Sequence, residues 1–250
     1  VVDLPPHYLI NLDRDSHRFE RFCKRNRHLR DVTRVAAVDG ATLDRQELEK
    51  LGHIDRGCDY SAATIGCALS HVDLWNMTAQ SDLGATVFED DAVVSHEFES
   101  LAQQVMSSLP TDWDIVLWGY VLDPTFVWVD LGVTRAVLRG YGGRRFRGES
   151  GLSEFQGSIT AAAPVRVLHC FGTQAYSISP KGARAAFRHC LPLRRRMIEF
   201  PDAGVRTPDE GIDCALCDFY PNAQAFLCLP QLVIHDDTLG STRNPASLEG

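Results

Sequence analysis

The chain has 250 residues, 44% of them hydrophobic, with 25 basic and 33 acidic side chains and a net charge of −8. This is the composition of a soluble globular chain, expected as a single domain over residues 1–250, and the acidic balance argues against nucleic acid as a partner and against attraction of the whole surface to a membrane. No run of 18 apolar residues gives a transmembrane segment, and Val1-Val2-Asp3-Leu4-Pro5-Pro6 has neither the basic nor the apolar region of a leader, so the expected location is cytoplasmic, with at most peripheral contact at the inner membrane face.

His7-Tyr8-Leu9-Ile10-Asn11-Leu12 is a short apolar strand that passes through Asp13-Arg14-Asp15-Ser16 into a helix with Phe19, Phe22 and Cys23 on one face. A second strand, Val32 to Val38, ends in Asp39-Gly40. A short helix starts near Asp44, with Glu47 at the capping-box offset and Leu48 and Leu51 turned inward. Ser61 is the expected N-cap of a helix through Thr78, carrying Ile65, Ala68, Leu69, Val72 and Trp75 at helical spacing, and a strand to Phe88 follows. Phe98, Leu101, Ala102, Val105 and Leu109 mark another helix ended by Pro110, and Asp114 to Trp118 is the next strand. Strands alternating with helices imply a mostly parallel central sheet covered on both faces, with ligands outside the carboxyl ends of the strands. Asn11, Asp39 and the acidic run Glu89-Asp90-Asp91 all fall at such ends.

The middle is less regular. Phe126 to Val129 and Val133 to Leu138 read as strands, and the basic, glycine-rich segment Arg139 to Gly148 reads as a loop, either a plain connection or a lid or acceptor-binding loop that uses arginine against phosphate or carboxylate. Strands at Val165 to Leu168 and Gln174 to Ile178 precede a helix with Ser179 as N-cap and Pro180 at its first position. A further helix is expected to open at Thr207-Pro208-Asp209-Glu210, with Thr207 and Glu210 as a capping box and Asp213 beyond the cap beside Ile212, Leu216 and Phe219. The chain has eight cysteines, too large a protein to need stapling, and they read as reduced core residues; Cys214 and Cys217 have no second pair and share a helical face. A final strand delivers His235, Asp236 and Asp237.

Glu89-Asp90-Asp91 is the segment with the most chemical content. Two unit charges about 4 Å apart at an effective dielectric near 20 repel by on the order of 4 kcal/mol, so consecutive carboxylates call for a cation or raised pKa values. In an extended segment Glu89 and Asp91 point one way and Asp90 the other, which offers two oxygen ligands to Mg²⁺ or Mn²⁺ and leaves room for phosphate oxygens and water. A solvated acidic turn is the plainer alternative.

Several ordered motifs resemble glycosyltransferase family 25, the group with bacterial lipooligosaccharide and collagen galactosyltransferases. They are Tyr8-Leu9-Ile10-Asn11-Leu12-Asp13-Arg14 with Arg18, Val38-Asp39-Gly40, Gly66-Cys67-Ala68-Leu69-Ser70-His71, Phe88-Glu89-Asp90-Asp91, and Gly172-Thr173-Gln174-Ala175-Tyr176 with Ser179-Pro180-Lys181-Gly182-Ala183. Gly211-Ile212-Asp213 stands where the family often has Pro-x-Asp. Ala63-Thr64 replaces its usual Gly-Glu, and the segment from Tyr120 to Ala163 matches no motif.

The resemblance implies a GT-A-like, Rossmann-type three-layer fold, a donor-binding part over about 1–120 and an acceptor-side part over about 121–250. It also implies Mn²⁺ or Mg²⁺, a UDP-hexose donor with galactose or glucose as the sugar, and inversion at the sugar carbon. The acceptor is expected to be a glycan such as lipooligosaccharide, or a peptide. Glu89 and Asp91 would hold the metal with His235 completing its shell, and Asp90 would touch the ribose or sugar. Asn11, Arg14 and Arg18 would frame the uridine and phosphates near Asp39, and Ser70 and His71 would face the donor sugar. Asp213 is the expected base, with Asp209, Glu210 and Asp236 as rivals. A nucleotidyltransferase or sugar-nucleotide hydrolase using the same acidic strand end, and a noncatalytic nucleotide-sugar or carbohydrate-binding protein, are the alternatives.

Overall fold

The structure is a computed structural model that describes residues 3–122, 125–140, 146–200, 204 and 206–239. In chain order the elements are β1 (His7–Asn11), α1 (Ser16–Arg25), β2 (Val32–Ala36), α2 (Arg45–Lys50), α3 (Ala62–Ala79), β3 (Ala85–Glu89), β4 (Ala92–Val94), α4 (Phe98–Ser107) and β5 (Ile115–Val121). β6 (Phe126–Asp130), β7 (Arg135–Arg139), α5 (Gly148–Ser158), β8 (Ala163–His169), β9 (Phe171–Ile178) and α6 (Pro180–Cys190) follow. β10 (Met197–Glu199), β11 (Arg206–Pro208), α7 (Ile212–Phe219), β12 (Ala225–Leu229) and β13 (Val233–His235) complete the described chain.

The caps act where hydroxyl and carboxylate side chains precede the helical patterns. Asp44 accepts from the amides of Gln46 and Glu47, Ser61 from Thr64 at 3.1 Å, and Ser179 from Gly182 at 2.9 Å. One inward expectation fails at α2: the helix ends at Lys50, so Leu51 sits on the C-cap and is 61% exposed while Leu48 is buried.

Nine strands form one sheet in the order β2-β1-β3-β9-β5-β12-β8-β6-β7. β2, β1 and β3 run parallel, β9 lies antiparallel between β3 and β5, and β12 is parallel to β5, so the five strands at its core other than β9 share one direction. The far edge, β8-β6-β7, is antiparallel. Period-2 alternation divides the core between the two faces. Ile10, Val87, Ile115 and Leu117 pack under α3, α6 and α7, whereas Leu9, Phe88, Val116 and Trp118 pack under α1 and α4. The sheet is thus the middle layer of the expected three-layer α/β arrangement. Its strands interleave across the sequence: β9 and β12 insert beside β3 and β5.

Two differences alter the reading of the C-terminal part. Thr207 belongs to β11, opposite Ile198 of β10, so it opens no helix and forms no capping box with Glu210. α7 begins at Ile212, and the Asp209 carboxylate closes the preceding turn by accepting from the Gly211 amide at 3.0 Å. Gly148 to Ser158, within a stretch without a motif, forms α5 on Leu152 and Phe155. Of the glycine-rich segment, residues 141–145 lie outside the described residues. All eight cysteines are free; Cys23 is exposed and Cys67 half-buried, and the other six are buried as expected of core residues.

Candidate active site

The carboxyl ends of β1, β2 and β3 meet at one edge of the sheet, where a parallel register places Ile10 beside Glu89 and Asn11 beside Ala36. β3 ends at Glu89, and Asp90 and Asp91 form the turn into β4. The expected alternation therefore stops at Glu89, because the two aspartates are not in extended backbone. Both instead reach Arg18 of α1, a side chain with only 5% of its surface exposed. Its Nε donates to Asp90 Oδ1 at 2.7 Å, and its second terminal nitrogen lies 2.6 Å from Asp90 Oδ1 and 3.1 Å from Asp91 Oδ2. Asn11 donates to the other oxygen of Asp90 at 2.7 Å and is itself held by Arg34, whose Nε donates to Asn11 Oδ1 at 2.9 Å.

Asp91 is held less completely. Its Oδ1 is buried without a hydrogen-bond partner. Burial first, and then the charge of Glu89, push the Asp91 carboxyl up to about 7 against the opposing pull of Arg18. Glu89 accepts from the Thr173 hydroxyl at 2.5 Å and lies 3.5 Å from His71 Nε2. Burial opposes a charge on His71, yet the Tyr176 hydroxyl, Cys67 and Glu89 around it turn the net shift upward. Its Nδ1 is 3.0 Å from the Tyr176 hydroxyl, which also accepts from Trp75 Nε1 at 2.8 Å.

Two glycine motifs hold α3 against the loop after β2. A Cβ on Gly66 would come within 2.6 Å of both the Gly40 nitrogen and the Val38 oxygen, so the helix approaches the loop only with glycine there. Ser70, one turn on, donates to Gly66 O at 2.8 Å and accepts from the Val38 amide at 2.9 Å. Its hydroxyl is buried and fastens the motifs together. Asp39 accepts from the Ala41 amide and pairs with Arg14, whose side chain is half exposed.

The C-terminal candidates arrive at the same edge through β13 and α7. β13 pairs with β4 so that His235 lies opposite Ala92, and the Asp236 amide donates to the Asp91 carbonyl at 2.6 Å. Asp213, in the first turn of α7, accepts from the Gly172 amide at 3.2 Å. Gly172 and Thr173 are the second and third residues of β9, so adjacent residues touch the expected base and the expected metal ligand. Asp209 is buried beside the Tyr60 hydroxyl, and burial raises its carboxyl. Asp236 is 3% exposed, and although burial alone would raise its carboxyl, the Arg21 hydrogen bond brings it below the ordinary value.

Among the described residues, no three His, Cys, Asp or Glu side chains converge as a metal-ligand set. The orphaned oxygen of Asp91, together with Glu89, nevertheless fits one face of a hard divalent cation completed by phosphate and water oxygens. Sequence reasoning gave no role to Arg34, Thr173 or Tyr176. Thr173 and Tyr176 lie in a quoted motif, and Arg34 sits one strand over from Asn11, but only the sheet register shows what each touches.

The sequence profile of glycosyltransferase family 25, described as an LPS biosynthesis protein, matches residues 4–194. The chain belongs to glycosyltransferase family 25. Procollagen galactosyltransferase 1-A of Xenopus laevis is 32% identical over 126 residues, which cover 45% of this chain and 20% of that protein. Procollagen galactosyltransferase 1 of Danio rerio is 30% identical over 125 residues, 45% of this chain and 21% of its own length. This family 25 chain therefore spans about a fifth of the length of the curated relatives it matches. The profile takes in Asn11, Arg14, Arg18, Asp39, Ser70, His71 and the acidic turn; Asp213 and His235 lie beyond its last residue.

Proposed function

We propose that this chain is an inverting, metal-dependent glycosyltransferase of GT-A-like architecture that moves a hexose, galactose foremost, from a UDP-sugar to a hydroxyl of a glycan acceptor such as lipooligosaccharide. The observation that carries the reading is Asp91, a carboxyl raised to about 7 with a buried unpartnered oxygen, beside Glu89 at the strand end. Family membership supplies the reaction class, and the names of the relatives favour galactose.

Asp91 and Glu89 would hold Mn²⁺ or Mg²⁺, with His235 approaching from β13. Bound there, the cation supplies Lewis-acid neutralisation of the charge that develops on the departing diphosphate. Arg14, whose side chain is half exposed, would meet uridine or phosphate at the neighbouring edge, while Asn11 and Arg18, both buried, hold Asp90 in the turn against which the ribose or sugar would rest. Ser70 and His71 act as positioning groups, the first by fastening α3 and the second by fixing Glu89. Asp213 takes the proton of the acceptor hydroxyl as its oxygen attacks the anomeric carbon and the bond from that carbon to UDP breaks. Its contact with Gly172 places it one residue from the Thr173 that holds Glu89.

The test is UDP release from a panel of UDP-hexoses with Mn²⁺ or EDTA, with and without glycan and procollagen acceptors. Release that needs metal, one donor and an acceptor is expected. Pyrophosphate release, or free sugar without acceptor, would replace the reading by a nucleotidyltransferase or hydrolase, and UDP binding without turnover by a binding protein. In the same assay Asp213→Asn should lower kcat by about 10²–10⁴; activity near wild type would remove Asp213 as base.

A further inference from the structure

Beyond Arg18 the cations continue along α1 and leave the reaction centre. Arg21, Lys24 and Arg25, with Arg27 past the helix end, join His96 and Glu149 in lining a cleft of about 490 Å³. Glu149 accepts from Arg21 and from Arg25, each at 2.5 Å, and Asp236 accepts from Arg21 Nε at 2.7 Å. Lys24 and Arg27 are exposed, and no ion pair among the described residues holds either one. Four cations thus face two carboxylates, an excess of two positive charges on a chain of net charge −8. The α1 C-terminus favours basic residues in its last turn, which accounts for Lys24 and Arg25 but for neither Arg27 nor the concave wall. The carboxylate of Glu149 is 65% exposed, so an entering anion can take over its arginines at small cost.

The cleft adjoins the acidic turn through one residue: the Asp236 carboxylate binds Arg21, and its amide binds the Asp91 carbonyl. A flat membrane-binding patch would carry exposed apolar side chains, and among the described residues the large exposed hydrophobics include none in α1 or α5.

We propose that this cleft is an anion subsite that seats a phosphate or carboxylate group carried by the acceptor. The assignment to the acceptor rests on the transferase reading; the anion site does not. Guanidinium forks and a lysine ammonium suit both groups, and a doubly charged phosphate matches the excess charge better.

The test titrates the wild type and the Lys24→Glu/Arg27→Glu variant with inorganic phosphate, with acetate and with UDP, following backbone amide resonances. Both substituted side chains are exposed, and a thermal melt checks that the variant folds. Phosphate should shift residues 21–27 and 149–156, bind at least tenfold more weakly to the variant, and leave UDP affinity equal in the two proteins. Acetate acting as strongly as phosphate would assign a carboxylate. No shift in the cleft, or equal affinity in the variant, overturns the site. Loss of UDP binding by the wild type with phosphate binding intact would instead remove the transferase reading and leave the cleft standing. Anionic phospholipid vesicles that bind the wild type and not the variant, with no phosphate shift, would make the patch a membrane contact. In kinetics the variant should raise KM at least tenfold for acceptors retained on an anion exchanger and not for neutral ones; an equal effect on both overturns the acceptor assignment.

Discussion

Asp90 and Asp91 are adjacent in sequence and share one arginine, yet they are held in opposite ways. Both oxygens of Asp90 are engaged, one by two nitrogens of Arg18 and one by Asn11. Asp91 has one bond at 3.1 Å and a buried oxygen with no partner. Identical chemistry thus gives one carboxylate that is fully compensated and one that is buried with an oxygen left unpaired. The difference lies in what the neighbouring strands bring: β1 supplies Asn11 on the Asp90 side, and β3 supplies the like charge of Glu89 on the Asp91 side.

Removing the shared cation should have the largest effect on stability. Arg18→Leu would leave buried charge without its partner and is expected to cost about 3–5 kcal/mol in a urea unfolding series. A loss below about 1 kcal/mol would mean that Asn11 and water alone hold the turn.

The next comparison separates the two aspartates by sign. The Asp91 carboxyl sits at about 7 in the folded protein against an ordinary 3.8, so its ionisation penalises the fold increasingly as pH rises between those values and not below them. In EDTA at pH 8, Asp91→Asn should therefore raise stability, by on the order of 2 kcal/mol, while Asp90→Asn lowers it. The stabilisation that Mn²⁺ gives the wild type should shrink as pH falls below about 7, because the proton and the cation compete for the same oxygen. Thermal melts across pH 5 to 8 read both. Equal signs for the two variants would abolish the distinction.

Tyr176→Phe should have the smallest effect. Its hydroxyl accepts from Trp75 and lies against His71, so its loss is expected to cost about 1 kcal/mol, the low end for a buried donor left unpaired. A smaller loss with an unchanged Asp91 titration would show that His71 fixes Glu89 without it.

The same contrast separates what was legible in the chain from what was not. Apolar alternation and caps place β1, the end of β3, α3 and the start of α6 within one or two residues, since those signals are local. The Thr207 to Glu210 pattern has the spacing of a capping box and still becomes the end of a strand, because pairing of β11 with β10 outweighs a cap in so short a segment. α5 escapes detection because only Leu152 and Phe155 mark its buried face. Glu89, Asp91 and Asp213 were visible as residue types in motifs, whereas the Gly172-Thr173 link between Asp213 and Glu89 joins segments more than 80 residues apart.

From the sequence alone come the α/β class, the family motifs and the presence of an acidic strand end, all of which depend on periodicity and short-range spacing. The tertiary structure alone decided which carboxylate is compensated, because pairing, burial and mutual repulsion depend on distance in space. It also decided that the cations of α1 divide, Arg18 turning to the acidic turn and Arg21, Lys24 and Arg25 to the adjoining cleft. The helical repeat sets that division only once β4 and β13 carry Asp91 and Asp236 to different positions along the same helix.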